Sequence, residues 1–542
     1  MTLKKTNLSL GGPVLLFVSL LLLSGFSGCI SDFWEGDDEE DTLVVAVNSL
    51  PETLDPAGAY DPVSLFVIGN VYETLVRYDG ESVYNVVPGV AASWEIDDFY
   101  QTYTFYLKGN IKFSNGNLLT AEDVKYSLIR AMEMKLEPSW ILRRVIDPSN
   151  ITIGNYNPQH DQIQDIRITL KYPYRSFIRI LAFPVASIVD KETVEMYGEH
   201  ESGRETSWLN THTVGSGPYT LDSIKSDKLV LKRNPYYHGE WEKKFVEKVE
   251  IRRYQSEGEK LEAMEKGEVD VAPLSISSFE EAKAISSVKI VEVESLRIGF
   301  IGFNTKKAPF NNTDIRKAFS LMLDFNRMVN EVLKSHGERE ASIFPSKVGV
   351  PTSVTSPSYD PVEALNILEN YYSVDDEMVQ DFPAISAAYP VGNYLLENIL
   401  MIYQENLASI GISLELRALN STEYLNTLRN GESELFGMEW EPDYADPDAY
   451  AYPLLHSSST DKANFAFYEN ATLDKKIEEA KKTFDPDTRN KRYGEIARVA
   501  VEEVPYLWLY SSKNLYASQT NVFGVVFNPI IQMNLYGTYI VT

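Results

Sequence analysis

Hydrophobic and polar positions along this chain switch repeatedly between the strand period and the helix period. Leu43–Val47 (LVVAV) is a short Val-rich apolar run, the pattern of a buried strand, and Pro51, Asp55 and Pro56 close it. Thr102–Leu107 alternates as a half-buried strand does, and Asn115-Gly116 marks a turn after it. Thr120 stands where a side-chain oxygen can accept a free first-turn backbone N–H. Glu122 and Asp123 suit the positive helix end, and Val124, Leu128 and Ala131 then share one face before Pro138. Ile315, Ala318, Phe319, Met322, Val329, Val332 and Leu333 form a longer helical stripe. Helices are expected over about 473–484 and 488–503, and strands over 246–252, 289–293, 298–303 and 412–416. Alternation of the two element types predicts the α/β class. No internal repeat of 20–50 residues is present.

Length and charge narrow the possibilities. At 542 residues the chain exceeds what one hydrophobic core usually supports, so two or three domains are expected. Fifty basic against 78 acidic residues leave a net charge of −28, which gives no general attraction to a nucleic-acid backbone. Six His and a single Cys exclude a disulfide scaffold and a Cys-ligated zinc site. The position of that Cys is informative. Lys4 and Lys5, the apolar run Val14–Leu23 and then Phe26-Ser27-Gly28-Cys29 have the order of an export signal. Cys29 at its end resembles a lipoprotein lipobox, with Phe26 in place of the usual Leu; an uncleaved single-span anchor is the alternative. Both place the remainder outside the cytoplasm. Ser31–Thr42 carries seven acids and no base, the composition of an extended tether.

The motifs of common catalytic sites are missing. There is no H-E-x-x-H, no G-x-S-x-G and no P-loop, and the six His lie far apart in sequence. Gly215-Ser216-Gly217 has Thr220 where a dinucleotide fingerprint needs Gly, and Ser286–Lys289 matches S-x-x-K without its partner motifs. Asp443, Asp446 and Asp448 are close enough to suggest calcium but lack the Gly and Glu of an EF-hand loop. A carboxylate pair for hydrolysis stays open.

A series of short motifs runs in order along the chain: Leu54-Asp-Pro56, Asn70-Val-Tyr-Glu-Thr-Leu75, Pro88-Gly-Val-Ala-Ala-Ser-Trp94, Tyr103–Leu107 and Thr120-Ala-Glu-Asp-Val124. Val214-Gly-Ser-Gly-Pro-Tyr219, Arg233-Asn-Pro-Tyr236, Phe303-Asn-Thr305, Ile315-Arg-Lys-Ala318, Ile410-Gly-Ile412 and Val504-Pro505 complete it. In this order the series resembles the peptide/nickel family of ABC-transporter solute-binding proteins. The resemblance implies a two-lobed, hinged periplasmic-binding-protein fold of α/β class, with ligand buried between the lobes. It implies lobe I over 43–82, 207–294 and 511–542, an extra subdomain of that lobe over 83–206, and lobe II over 295–510. Residues 1–29 are then the signal and 30–42 the tether.

The resemblance also implies a site. Peptide-binding members carry W-x-x-D, matched by Trp440 and Asp443, and that Asp pairs with the peptide α-ammonium; a buried cation needs such a partner. Glu439, Glu441 and Tyr444 flank the motif. Tyr60 in the loop 57–63, and Trp508 and Tyr510 near the second hinge crossing, are further candidates. Gly437 stands near where some members place an Arg for the ligand carboxylate, and Arg429 is the candidate substitute. The expected ligand is a peptide and the expected partner an ABC permease, with no nucleic acid, no cofactor and no metal, and with a monomeric chain. An oligosaccharide or nickel chelate is the alternative within the family, and an exported hydrolase the alternative outside it.

Overall fold

The computed structural model describes residues 41–154, 164–197, 208–460 and 462–541. Cys29, the expected export signal and the expected tether up to residue 40 lie outside the described residues. Among the described residues no helix is long and apolar enough to cross a membrane.

One eleven-stranded sheet runs through the molecule. Its first half is built on Thr42–Val47, which pairs in parallel with Lys248–Arg253 and Val271–Leu274. Lys228–Arg233 and Tyr219–Ile224 extend this half antiparallel. Its other half is built on Ile385–Pro390, parallel to Leu414–Leu419 and Leu435–Trp440. Two long antiparallel strands, Val288–Phe303 and Tyr506–Gln519, carry the chain from one half to the other. Hydrophobic side chains follow the same division. One core gathers Leu43, Val45, Ile251 and Val271 with the N-terminal third of the chain, and two others gather around Ile301 and Phe303 and around Phe300 and Phe436. The protein therefore has two lobes, with a strand crossing between them. A four-stranded antiparallel sheet, Ala91–Ile96, Thr102–Leu107, Asp165–Leu170 and Ile146–Ile153, belongs to the first core.

Two sequence expectations change. The predicted strands at 289–293 and 298–303 are one strand, whose register slips between Glu294 and Ile298. At that slip the buried Ser295 hydroxyl donates to the Ser512 carbonyl (2.5 Å) and accepts from the Arg297 N–H (3.1 Å). The bulge shifts the strand from partly exposed to fully buried surroundings, which is why its polar half reads separately. The long stripe from Ile315 to Leu333 is broken. Thr313–Ser320 ends, and Asp324 starts a new turn by accepting the N–H groups of Asn326 and Arg327. An internal cap outcompetes apolar periodicity there.

Other elements match closely. The helix near 488–503 spans Pro486–Glu503, with Asp485 accepting the Thr488 N–H and Pro486 in its first turn. It stops at Val504 (φ 48°), followed by Pro505. Ala121–Glu133 forms as expected, and Asp123 accepts both the N–H and the hydroxyl of Thr120 (2.8 and 2.7 Å). Beneath it Arg130 makes two bonds to the buried Asp55 (2.8 and 2.6 Å), tying the loop after the first strand to the subdomain.

Candidate functional site

Leu435–Trp440 is antiparallel to Val288–Phe303, so successive side chains point to opposite faces of the sheet. Met438 and Trp440 line a cavity of about 930 Å³ between the lobes on one face. Glu439 lines a second interlobe cavity, about 680 Å³, on the other. The chain then leaves the sheet, and residues 441–449 fill the seam between the lobes.

Asp443 occupies this seam and is only 6% exposed. Its carboxylate accepts a hydrogen bond from the Tyr60 hydroxyl, and Trp140 Nε1 lies 3.5 Å from that hydroxyl oxygen. Tyr60 and Trp140 belong to the first core and line the larger cavity from the opposite side. No Lys, Arg or His among the described residues pairs with Asp443. Burial pushes its carboxyl up to about 7, against the hydrogen bonds from Tyr60 and its own N–H, with Glu441 and Glu137 adding to the rise. Its ionised form is therefore desolvated and has no cation beside it among the described residues.

The two neighbouring aspartates behave differently. Asp446 Oδ1 accepts from Arg489 Nη2 (2.7 Å), and its other oxygen accepts from Ser176, with Arg179 4.0 Å away. Asp448 accepts from Arg144, from the Tyr174 hydroxyl (2.8 Å) and from the Tyr493 hydroxyl (3.4 Å). Ser176, Arg179, Arg144 and Tyr174 come from the subdomain side, and Arg489 and Tyr493 from the helix Pro486–Glu503. Both carboxylates therefore pin the lobes together. Among the described residues no group of His, Cys, Asp and Glu is arranged to hold a metal ion. The spacing that suggested calcium reflects these interlobe ion pairs.

The remaining candidates distribute as follows. The Trp440 ring lines the cavity while its Nε1 donates to the Ala449 carbonyl (2.9 Å). Glu439 accepts from Asn393 (2.8 Å) and from the Tyr510 hydroxyl (2.9 Å) beside the second cavity. Glu441 pairs with Arg297 (2.8 Å). Tyr444 is buried in the first core with its hydroxyl 2.9 Å from that of Tyr174. Tyr510 and Trp508 are buried in the second lobe, and Trp508 Nε1 has no partner among the described residues. Arg429 reaches the cavity, with Glu137 across it at 3.9 Å. Gly437 cannot carry a longer side chain without displacement, since a Cβ there would sit 3.1 Å from Leu400 Cδ1. His456 is half-buried against the Tyr452 ring, with Asp474 and Glu478 nearby. Sequence reasoning missed Trp140, Arg144, Tyr172 and Lys481. They come from three distant segments with no shared motif, and all line the larger cavity.

Two lobes joined by paired crossing strands, with a buried carboxylate at their seam, define a two-lobed fold of the periplasmic-binding-protein class. Comparisons place it more narrowly. A family model described as bacterial extracellular solute-binding proteins, family 5 middle, matches residues 85–462. The chain is 28% identical over 500 residues to the probable D,D-dipeptide-binding periplasmic protein DdpA of Escherichia coli, covering 91% of this chain and 93% of that one. It is 26% identical over 510 residues to the glutathione-binding protein GsiB of Escherichia coli, covering 90% and 92%. A Pseudoalteromonas dipeptide-binding protein, solved with Met-Leu, shares the fold with a TM-score of 0.80 at 18% identity, covering 92% of this chain and 100% of that one. The chain belongs to the family 5 extracellular solute-binding proteins.

Proposed function

We propose that this protein captures short peptides between its lobes and delivers them to an ABC permease. The observation that carries the reading is Asp443: a carboxylate buried at the cleft seam, hydrogen-bonded by Tyr60, with no cationic partner among the described residues. A buried anion of this kind is stabilised by a ligand ammonium, and a peptide α-amine supplies one. The names of DdpA and GsiB, a dipeptide and a glutathione binder, lend support. Lobe I over 43–82, 207–294 and 511–542, the subdomain over 83–206 and lobe II over 295–510 form the moving parts of this reading. Cys29 is the lipid site holding a monomeric protein to the outer face of the cell membrane. Calorimetry with free-amine peptides and their N-acetylated counterparts tests it: tight binding of the former alone is expected, and equal binding of both would reject it. The aromatic walls of the cavity, Trp140, Tyr172, Trp440 and Tyr452, also suit stacking on an oligosaccharide. Native mass spectrometry of the copurifying ligand separates the two.

A further inference from the structure

Residues 340–351 leave the crossing strands, run over the second lobe and touch the first lobe on the way. They follow the short strand Gly337–Arg339, which pairs antiparallel with Tyr506–Gln519 from Ser512 to Tyr510. Glu340 fixes the root of the segment. Its buried carboxylate accepts from the Ser511 hydroxyl on the crossing strand (2.7 Å) and from the Ser346 N–H (3.2 Å). A carboxylate taken out of water needs such bonds, so root and hinge are held together. The next residues are anchored in the second lobe. Ile343 and Phe344 are buried in the core around Phe300 and Phe436, and the Phe344 ring packs edge-on against Tyr450 and Tyr493. The far end is seated on the helix Pro486–Glu503, where a Cβ on Gly494 would sit 2.8 Å from the Pro351 carbonyl oxygen. Pro345 and Pro351 stiffen the backbone between these points.

The middle of the segment meets the first lobe. The Tyr84 hydroxyl donates to the Lys347 carbonyl (2.5 Å). Tyr84 is held from its own side: Val83 is buried in the first core, and Arg179 Nε donates to the Tyr84 carbonyl (3.2 Å). Lys347 Nζ lies 3.5 Å from the Glu294 carboxylate, and Val348 packs against both the first core and the core around Phe300. Glu340, Tyr84, Lys347 and Val348 line neither interlobe cavity.

We infer that residues 340–351 form a closure strap, which the Tyr84 hydroxyl and Val348 fasten across the lobes. The strap moves with the hinge and the second lobe, and Tyr84 moves with the first. Parting the lobes breaks the Tyr84 bond and uncovers Val348 without altering a group that faces either cavity. Contacts made in one of two states shift the equilibrium by their own worth. The strap therefore sets how long the lobes stay shut and leaves the choice of ligand to the cavities. Tyr84 is 39% exposed, so its bond can open without unpacking a core. The inference uses the lobe motion of the proposed function but not its ligand.

The test follows single molecules of the full chain by fluorescence transfer between dyes on Met196→Cys and Met401→Cys, both exposed positions on opposite sides of the seam. A Cys29→Ser background leaves only these two thiols. Closed and open dwell times are recorded without ligand and with trialanine, for the parent protein, Tyr84→Phe and Val348→Ser; thermal unfolding checks that each is folded. Tyr84→Phe should shorten the closed dwell about two- to tenfold, the scale of one neutral hydrogen bond, and leave the open dwell unchanged. Val348→Ser should act in the same direction. Closed dwells equal to the parent's in both folded variants overturn the strap, as does a parent with no closed dwells in either condition. Trialanine that leaves the parent's dwell times unchanged counts against the peptide reading alone, because the comparison without ligand still decides the strap.

Discussion

Replacing Asp443 with Asn removes a charge and keeps the volume, and the structure sets the sign of two separate effects. The first is on ligand. With ligand bound, Asp443 would pair with an ammonium out of contact with water, and removing one member of such a pair costs on the order of 2–5 kcal/mol. That is roughly 30- to 4000-fold in dissociation constant at ~1.4 kcal/mol per decade. The second effect is on the protein without ligand. In the closed arrangement burial pushes this carboxyl from 3.8 up to about 7. When the lobes part, the carboxyl regains water and its ordinary value. A raised acid favours the closed state only while protonated, so ionised Asp443 opposes closure. The closed form gains as pH falls through about 7, by roughly 1.4 kcal/mol per unit, up to about 4 kcal/mol near pH 4. Asn behaves as a permanently protonated Asp, so Asp443→Asn should bind free-amine peptides weakly yet close more readily without them. Small-angle scattering reads the closure and calorimetry the affinity. The wild type should compact on acidification from pH 8 to 5, and the Asn variant should be compact throughout. An Asn variant with wild-type affinity for free-amine peptides, or a wild type whose compactness ignores pH, refutes the reasoning.

Other perturbations separate closure, stability and anchoring. Tyr174→Phe removes the donor to Asp448 across the seam without touching the cavity, so ligand affinity should fall about tenfold, by calorimetry, while the apo protein stays folded. Arg130→Met leaves the buried Asp55 without its cation and should cost about 3–5 kcal/mol of stability in urea unfolding, with no preference among ligands. Cys29→Ser should move the protein from the membrane to the soluble fraction on cell fractionation, and full retention would favour an uncleaved anchor instead.

How far the chain could be read without coordinates depended on whether the controlling interaction was local. Thr102–Leu107 and the helix at Pro486–Glu503 follow from alternation, a cap and a proline, all within a few residues. Asp443 could be singled out as a candidate because Trp440 and Asp443 share one short segment with a family spacing, and the structure places it buried at the seam. The long strand Val288–Phe303 was not, because its polar first half and apolar second half face different surroundings on either side of the bulge at Ser295. Asp446 and Asp448 looked like a metal loop in sequence because their partners, Arg489 and Arg144, lie about 40 residues after and 300 residues before them. Arg144, Tyr172 and Lys481 carry no mutual signal in one dimension. Their relation exists only once the subdomain and the second lobe face each other across the cavity.

The seam shows how capture can be coupled to closure. Asp446 and Asp448 bring their own cations, so they favour the closed arrangement whether or not a ligand is present. Asp443 brings none, and its burial works against them at neutral pH. A ligand shifts a two-state equilibrium only by its differential affinity for the two states. Under the proposed function, an ammonium delivered to Asp443 would supply that difference, because a carboxylate that is hydrated when the lobes part is desolvated and uncompensated where it stands here. On the proposed reading, three aspartates within six residues divide the work: two favour closure, and Asp443 makes it conditional on ligand. Were Asp443 supplied with a resident cation, as Asp446 is by Arg489, the lobes would close on an empty cleft and a membrane partner could no longer tell loaded from unloaded protein by shape.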